Sequence, residues 1–185
     1  ELKYPVRFVG GKREVYLKGE GYFQVSKDSC RQFIVHLQNS EITVLGTAFN
    51  VSAYEDEAHV YTTLEEGRVA FYSRQNKQRI LLKPGMQSDM EVATGKTVVS
   101  EVDPSLYSAW IEGRFVFQSL DLESILRQLQ RWYDFEVFFQ QQEVKNYRFR
   151  GVLSRDMDIR QALDIIEETT DLKFDIKGKT ILVRK

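Results

Sequence analysis

The sequence predicts a mainly β N-terminal domain, solenoid-like or sandwich, followed by a small α+β C-terminal domain. Three observations carry this. Short apolar runs alternate with turn residues through about residue 100, whereas helical periodicity enters only after Trp110. That periodicity then occurs twice, at an offset of 37 residues. Aromatic residues make up 12% of the chain, which suits strands, where flat and β-branched side chains pack on a pleated surface.

In the first part the strand-like runs are Glu14–Leu17, Tyr22–Val25, Phe33–Leu37, Ile42–Leu45, Phe49–Tyr54, His59–Thr63, Val69–Tyr72 and Ile80–Leu82. Between them stand Gly10-Gly11, Gly19-Glu-Gly21, Gln38-Asn39-Ser40, Glu55-Asp-Glu57 and Lys83-Pro-Gly85. Strands at this spacing, punctuated by Gly and Pro, indicate an all-β sandwich, barrel or solenoid. Gly21, Gly46, Gly67 and Gly85 each stand beside a strand start, at spacings of 25, 21 and 18. Such spacing suits the tight turn a solenoid coil needs once per circuit. Residues 101–109 read as a linker, because Asp103-Pro104 blocks a continuing helix and favours a turn. The expected domains are residues 1–104 and 105–185.

In the second part Leu122, Ile125, Leu126, Leu129 and Tyr133 follow the spacing of one helix face, and Ile159, Ala162, Leu163, Ile166 and Thr170 repeat it. Asp121 and Asp158 occupy the N-cap positions, where a carboxylate accepts free backbone N–H groups. Gln161 completes a capping box with Asp158. Strand-like segments Arg114–Phe117 and Tyr147–Leu153 precede the helices, and Phe135–Phe139 and Leu172–Ile176 follow them. The C-terminal domain is therefore two βαβ repeats closed by a strand at Thr180–Val183. Each helix offers a stripe of about four large apolar side chains, on the order of 6–12 kcal/mol gross. Ordering entropy cancels most of that, so the two repeats must share one core.

Composition excludes several functions. The chain has 26 basic and 27 acidic side chains, split 13 to 14 over residues 1–108 and 13 to 13 over 109–185. No Lys/Arg cluster exists to displace the counterions of a nucleic acid, and no polybasic patch to hold a membrane surface. No apolar run reaches the roughly 20 residues that cross a bilayer. Cys30 is the single cysteine, so no internal disulfide forms. His36 and His59 are 23 residues apart without metal-ligand spacing. The pairs in Glu55-Asp-Glu57 and Glu65-Glu66 flank turns and read as solvated charges rather than paired catalytic acids. No glycine pair opens a helix that would receive a phosphate. No catalytic residue, cofactor site or metal site is expected. Trp132 and Tyr133 read as core, and Trp110 as packed at the domain junction.

Several segments together resemble a known family. Gly19-Glu-Gly-Tyr-Phe-Gln-Val25, Phe33-Ile-Val-His36, Val44-Leu-Gly-Thr-Ala-Phe-Asn-Val-Ser-Ala-Tyr54, Leu64-Glu-Glu-Gly-Arg-Val69 and Leu82-Lys-Pro-Gly-Met-Gln87 are similar to the FecR domain. Trp110-Ile-Glu-Gly-Arg-Phe-Val-Phe117, Leu129-Gln-Arg-Trp-Tyr-Asp134, Phe149-Arg-Gly151 and Gln161-Ala-Leu163 resemble the domain that follows it, similar to the secretin and TonB N-terminal (STN) module. The resemblance implies the periplasmic part of a single-span inner-membrane anti-sigma factor of a Gram-negative cell. It implies two partners: the signalling domain of a TonB-dependent outer-membrane transporter, and an extracytoplasmic-function sigma factor held by a cytoplasmic segment. That segment and the membrane helix are absent from this chain and would precede Glu1.

A protein-binding relay is thus expected, with a carbohydrate-binding β-module carrying an appended α+β domain as the alternative and a hydrolase as the third reading. Two segments are candidates for partner binding, by strand addition or by groove contact. One is the terminal strand, taken as a sheet edge, with Thr180, Leu182 and Arg184. The other is Tyr147-Arg-Phe-Arg150, with Tyr147, Arg148 and Arg150.

Overall fold

The computed structural model describes all residues, 1–185, and divides into two compact units, Glu1–Ser108 and Ala109–Lys185. The first is built of eleven strands: β1 (Leu2–Lys3), β2 (Lys12–Leu17), β3 (Gly19–Val25), β4 (Gln32–His36), β5 (Ser40–Val44), β6 (Thr47–Ala53), β7 (His59–Glu66), β8 (Val69–Ser73), β9 (Arg79–Leu82), β10 (Met86–Glu91) and β11 (Thr97–Glu101). They form a six-stranded sheet in the order β1-β2-β4-β5-β8-β9 and a five-stranded sheet in the order β11-β10-β7-β6-β3. The inward alternate residues of both sheets make a single core, with Val35, Ile42 and Phe71 from one and Phe49, Leu64 and Met90 from the other. This is a sandwich. Only β2 and β4 run parallel, and every other pairing is antiparallel. What is solenoid-like is the progression: in each sheet the strands lie side by side in chain order.

Glycines stand at four of the five passages from one sheet to the other, the one from β3 to β4 having none. Gly46 lies between β5 and β6, Gly67 between β7 and β8, and Gly85 between β9 and β10. At the first crossing, from β2 to β3, Gly19 opens β3 with φ +92°, and Gly21 lies two residues further along opposite Val51. Gly67 has φ +91°, and a Cβ there would sit 2.7 Å from the Gly46 carbonyl oxygen. Both the backbone angle and the close approach require glycine at that corner.

β10 and β11 have no counterpart among the sequence-derived strands. β10 reads Met-Gln-Ser-Asp-Met-Glu and breaks the apolar alternation because Gln87 and Ser88 are buried in it. Residues 101–109 are only partly the expected linker. After Pro104 the chain forms a short helix, α1 (Ser105–Ser108), started by Asp103, whose carboxylate accepts from the Ser105 N–H at 3.0 Å.

The second unit runs β12 (Arg114–Asp121), α2 (Leu122–Gln130), β13 (Glu136–Phe139), β14 (Arg148–Ser154), α3 (Ile159–Glu168), β15 (Lys173–Lys177) and β16 (Thr180–Arg184). Both caps form. Asp121 accepts from the Ser124 N–H at 2.8 Å, and Asp158 accepts from the Gln161 N–H at 2.9 Å while Gln161 accepts from the Asp158 N–H at 3.0 Å. α2 stops at Gln130, so Tyr133 lies in the turn beyond it rather than on the helix stripe. Its hydroxyl donates to the Met157 carbonyl at 2.6 Å.

Strand–helix–strand order recurs as expected, but the strands flanking each helix do not share a sheet. β12 pairs antiparallel with β14, its equivalent in the other repeat. β13 and β15 instead flank β16, parallel and antiparallel respectively. Each repeat therefore gives one strand to each sheet. Leu122, Ile125, Leu126 and Leu129 of α2 and Ala162, Leu163 and Ile166 of α3 enter one core with Phe117, Leu153, Phe174 and Ile181.

Candidate partner-binding surface

The three-stranded sheet of the second unit shows why one of its faces stays open. Along β16 the burial alternates, with Ile181 and Val183 inward and Thr180, Leu182 and Arg184 outward. β13 does the same, with Val137 and Phe139 packed on the core and Glu136 and Phe138 exposed. Register then sets the outward residues in rows: Glu136, Thr180 and Lys177 in one, Phe138, Leu182 and Asp175 in the next, Arg184 and Lys173 in the third. Phe138 and Leu182 are 55% and 37% exposed, an apolar centre ringed by charge. Arg184 donates from Nε to Asp175 Oδ2 at 2.6 Å, and this bond holds the Asp175 carboxyl below its ordinary range.

The sequence-predicted residues fall on both sheets. Thr180, Leu182 and Arg184 share the open face just described. Their strand, however, is not a sheet edge: β16 is the middle strand, its backbone paired to β13 on one side and β15 on the other. Strand addition at Thr180–Val183 is therefore excluded, and those residues can meet a partner only through side chains. The terminal position in sequence gave no signal that β13 would insert beside β16 by a parallel pairing.

Tyr147, Arg148 and Arg150 stand at β14, whose sheet has two strands, so its far side carries no paired strand. Tyr147 is partly structural. It packs on the core, its carbonyl accepts from the first N–H of α2, that of Leu122, at 2.8 Å, and its hydroxyl accepts from Lys185 Nζ at 3.0 Å. Lys185 also lies 3.0 Å from Asp171 Oδ2, and the two contacts raise its ammonium pKa. Arg148 donates to the Ser119 carbonyl at 2.5 Å, where Ser119 forms a bulge with φ +56°. Arg150 is exposed opposite Gln118.

The edge of β15 is blunted instead. Glu167 of α3 accepts from the Phe174 N–H at 2.6 Å, and Arg160 donates to the Phe174 carbonyl at 3.1 Å. Sequence reasoning missed Phe138. The signal was available in Glu136, since alternation puts Phe138 on the same face as that carboxylate and opposite to Val137.

Other candidates resolve into packing. Trp132 meets Trp110 at 6.4 Å and Phe115 at 5.6 Å, with the Arg155 guanidinium 3.7 Å over its ring. An aromatic row does cross the six-stranded sheet, since Tyr16, His36, Glu41, Tyr72 and Arg79 are successive cross-strand partners. His36 and Glu41 separate its two tyrosines. Tyr16 stacks on His36 at 4.8 Å, and Arg79 lies over Tyr72 at 5.0 Å. That is not the coplanar platform a sugar ring needs. No group of three or more His, Cys, Asp or Glu side chains is placed to hold a metal ion, and no helix is long and apolar enough to cross a membrane.

The FecR protein family model matches residues 1–70, and the FecR C-terminal model matches residues 114–183. The chain belongs to the FecR family. The two matches fall one in each compact unit of this FecR protein. It is also similar in structure to a proposed anti-sigma factor from Parabacteroides distasonis ATCC 8503. That protein's crystal structure at 1.65 Å superposes with a TM-score of 0.88 at 24% identity, covering 100% of this chain and 85% of the other. A second crystal structure of a proposed anti-sigma factor from the same organism, at 2.50 Å, gives 0.87 at 24% identity with the same coverage. At that identity the likeness establishes the fold. No curated protein matches the chain.

Proposed function

We propose that this FecR protein is the periplasmic sensor region of a single-pass inner-membrane anti-sigma factor in a Gram-negative cell. It receives a signal from the signalling domain of a TonB-dependent outer-membrane transporter. It relays that signal to an extracytoplasmic-function sigma factor held by a cytoplasmic segment. Its role is binding and relay, not catalysis. The observation that carries this reading is the tandem of FecR and FecR C-terminal matches, one per structural unit. The similarity to proteins described as proposed anti-sigma factors supports it. So does a second unit in which two helices share a core with a two-stranded and a three-stranded sheet, an arrangement we read as STN-like.

In this reading the partner docks on the open face around Phe138 and Leu182, with Thr180 and Arg184 beside them. The free side of β14 at Tyr147, Arg148 and Arg150 is a second contact. The test is affinity between this chain and the cognate transporter's signalling domain. Saturable one-to-one binding supports the reading, and no binding by the intact periplasmic region sinks it. Unchanged affinity after Arg148→Glu with Arg150→Glu removes β14 from the interface.

A further inference from the structure

The loop from Tyr4 to Gly11, between β1 and β2, is exposed at every residue but Phe8. Tyr4 is 68%, Val6 100% and Val9 90% exposed. Phe8 ties the loop down. It packs on the first core and meets the Phe33 ring edge-on at 6.2 Å. That contact sets the loop beside the crossing from β3 to β4, residues 26–31. The buried Arg13 holds this crossing, donating to the Ser26 carbonyl at 3.1 Å and to the Arg31 carbonyl at 3.0 Å. The crossing in turn holds the turn between β5 and β6, since the Asp28 N–H donates to the Leu45 carbonyl at 2.7 Å. Leu45 is 44% exposed. Three connections thus meet at one end of the sandwich, with Val6, Val9 and Leu45 open to solvent.

We propose that this end of the first unit docks on an anionic lipid surface, with Val6 and Val9 entering the interface and cations meeting the head groups. Binding of this kind grows with the apolar area inserted and with attraction to anionic lipid. The charges fit. Arg7, Lys12 and Lys27 are exposed, and none of them forms an ion pair. Asp28 is the only carboxylate in the two longer connections, and it pairs with Arg31 at 2.8 Å. Further along β2, Glu14 lies 3.9 Å from His36. At the turn from β7 to β8, Glu66 is balanced by Arg68, and Glu65 accepts from the Tyr22 hydroxyl at 2.9 Å. The free cations come from separate stretches, so no run of sequence shows a polybasic patch. The parallel register of β2 and β4, with Lys12 opposite Gln32, brings them to one place. An acidic protein would meet the cations and leave the valines in water, whereas a bilayer interface takes both. Tyr4 suits the head-group level, where tyrosine is enriched. The surface is in the first unit, shares no residue with the sites assigned to the protein partner, and stands or falls independently of the relay.

The test is flotation of the whole chain with vesicles in low salt, phosphatidylcholine containing about a third phosphatidylglycerol against phosphatidylcholine alone. The expected result is saturable binding to the anionic vesicles and at least roughly tenfold weaker binding to the neutral ones. Arg7→Gln with Lys12→Gln and Lys27→Gln should weaken anionic binding about a hundredfold, near fivefold for each cation. Val6→Ser with Val9→Ser should weaken it roughly tenfold. Both variants should fold, because the altered side chains are exposed, and a thermal melt checks that they do. Absence of binding to the anionic vesicles overturns the proposal. So does equal affinity for the neutral ones, undiminished binding in the glutamine variant, or undiminished binding in the serine variant, which leaves the cations to an acidic protein.

Discussion

Phe138 and Leu182 lie directly opposite each other in the parallel pair β13–β16, and both face out. Two large apolar groups side by side on an open sheet face cost nothing to folding and offer a ready desolvation gain to a partner. In the proposed relay they form the centre of the docking face. The core beneath them fixes how the second unit stands up.

That core is shared. Leu126 of the first repeat and Leu163 of the second are both buried in it. Leu126→Ala and Leu163→Ala should each cost about 2–5 kcal/mol. Each should also lower amide-exchange protection in α2 and α3 alike. Loss confined to the mutated repeat would contradict a common core.

The crossing at Gly67 predicts a different failure. Gly67→Ala places a Cβ 2.7 Å from the Gly46 carbonyl oxygen in a backbone region hostile to side chains. Destabilisation of about 1–3 kcal/mol is expected, read as a lower denaturant midpoint. An unchanged midpoint would show that the corner relaxes freely.

Thr62 and Ser88 are paired across β7 and β10 with their side chains turned into the first core, and neither hydroxyl has a hydrogen-bond partner. Thr62→Val removes one buried, unsatisfied hydroxyl. It should raise stability by about 1 kcal/mol. A fall in thermal midpoint would refute the assignment.

Glu167 sets an acid limit. Burial pushes its carboxyl up, but the Phe174 N–H and Lys173 outweigh burial, and the net pKa lies below the ordinary value. A carboxylate depressed in the folded state contributes stability above its unfolded pKa and loses it as pH falls through the folded one. The stabilising contribution of Glu167 should therefore be full near neutrality and fade below about pH 4.5. Glu167→Gln should be less stable than the parent at pH 7, with the difference shrinking towards pH 3. A difference independent of pH would contradict this.

Much of this fold was legible because its signals are local. Both helix starts were readable from Asp121 and Asp158, and the repeat from the 37-residue offset, since capping and periodicity act within a turn or two. The glycine spacing pointed to corners, though it took pairing to show that those corners join two stacked sheets. β10 was hidden by Gln87 and Ser88, polar groups buried by tertiary packing. The edge assignment of Thr180–Val183 failed for a related reason: which strand pairs with which is decided by long-range contacts that no window of sequence contains. Thr180, Leu182 and Arg184 of that strand do share one outward face, as period-two alternation sets it.

The most direct measurement is the affinity of the cognate transporter's signalling domain for the Phe138→Asp, Leu182→Asp variant of this chain. The account predicts a variant that still folds, at a somewhat lower unfolding midpoint, because both side chains face outward but the new carboxylates stand in one row with Asp175. It also predicts a loss of about 2 kcal/mol or more, roughly thirtyfold in Kd. A variant that folds normally and binds as tightly as the parent would contradict it.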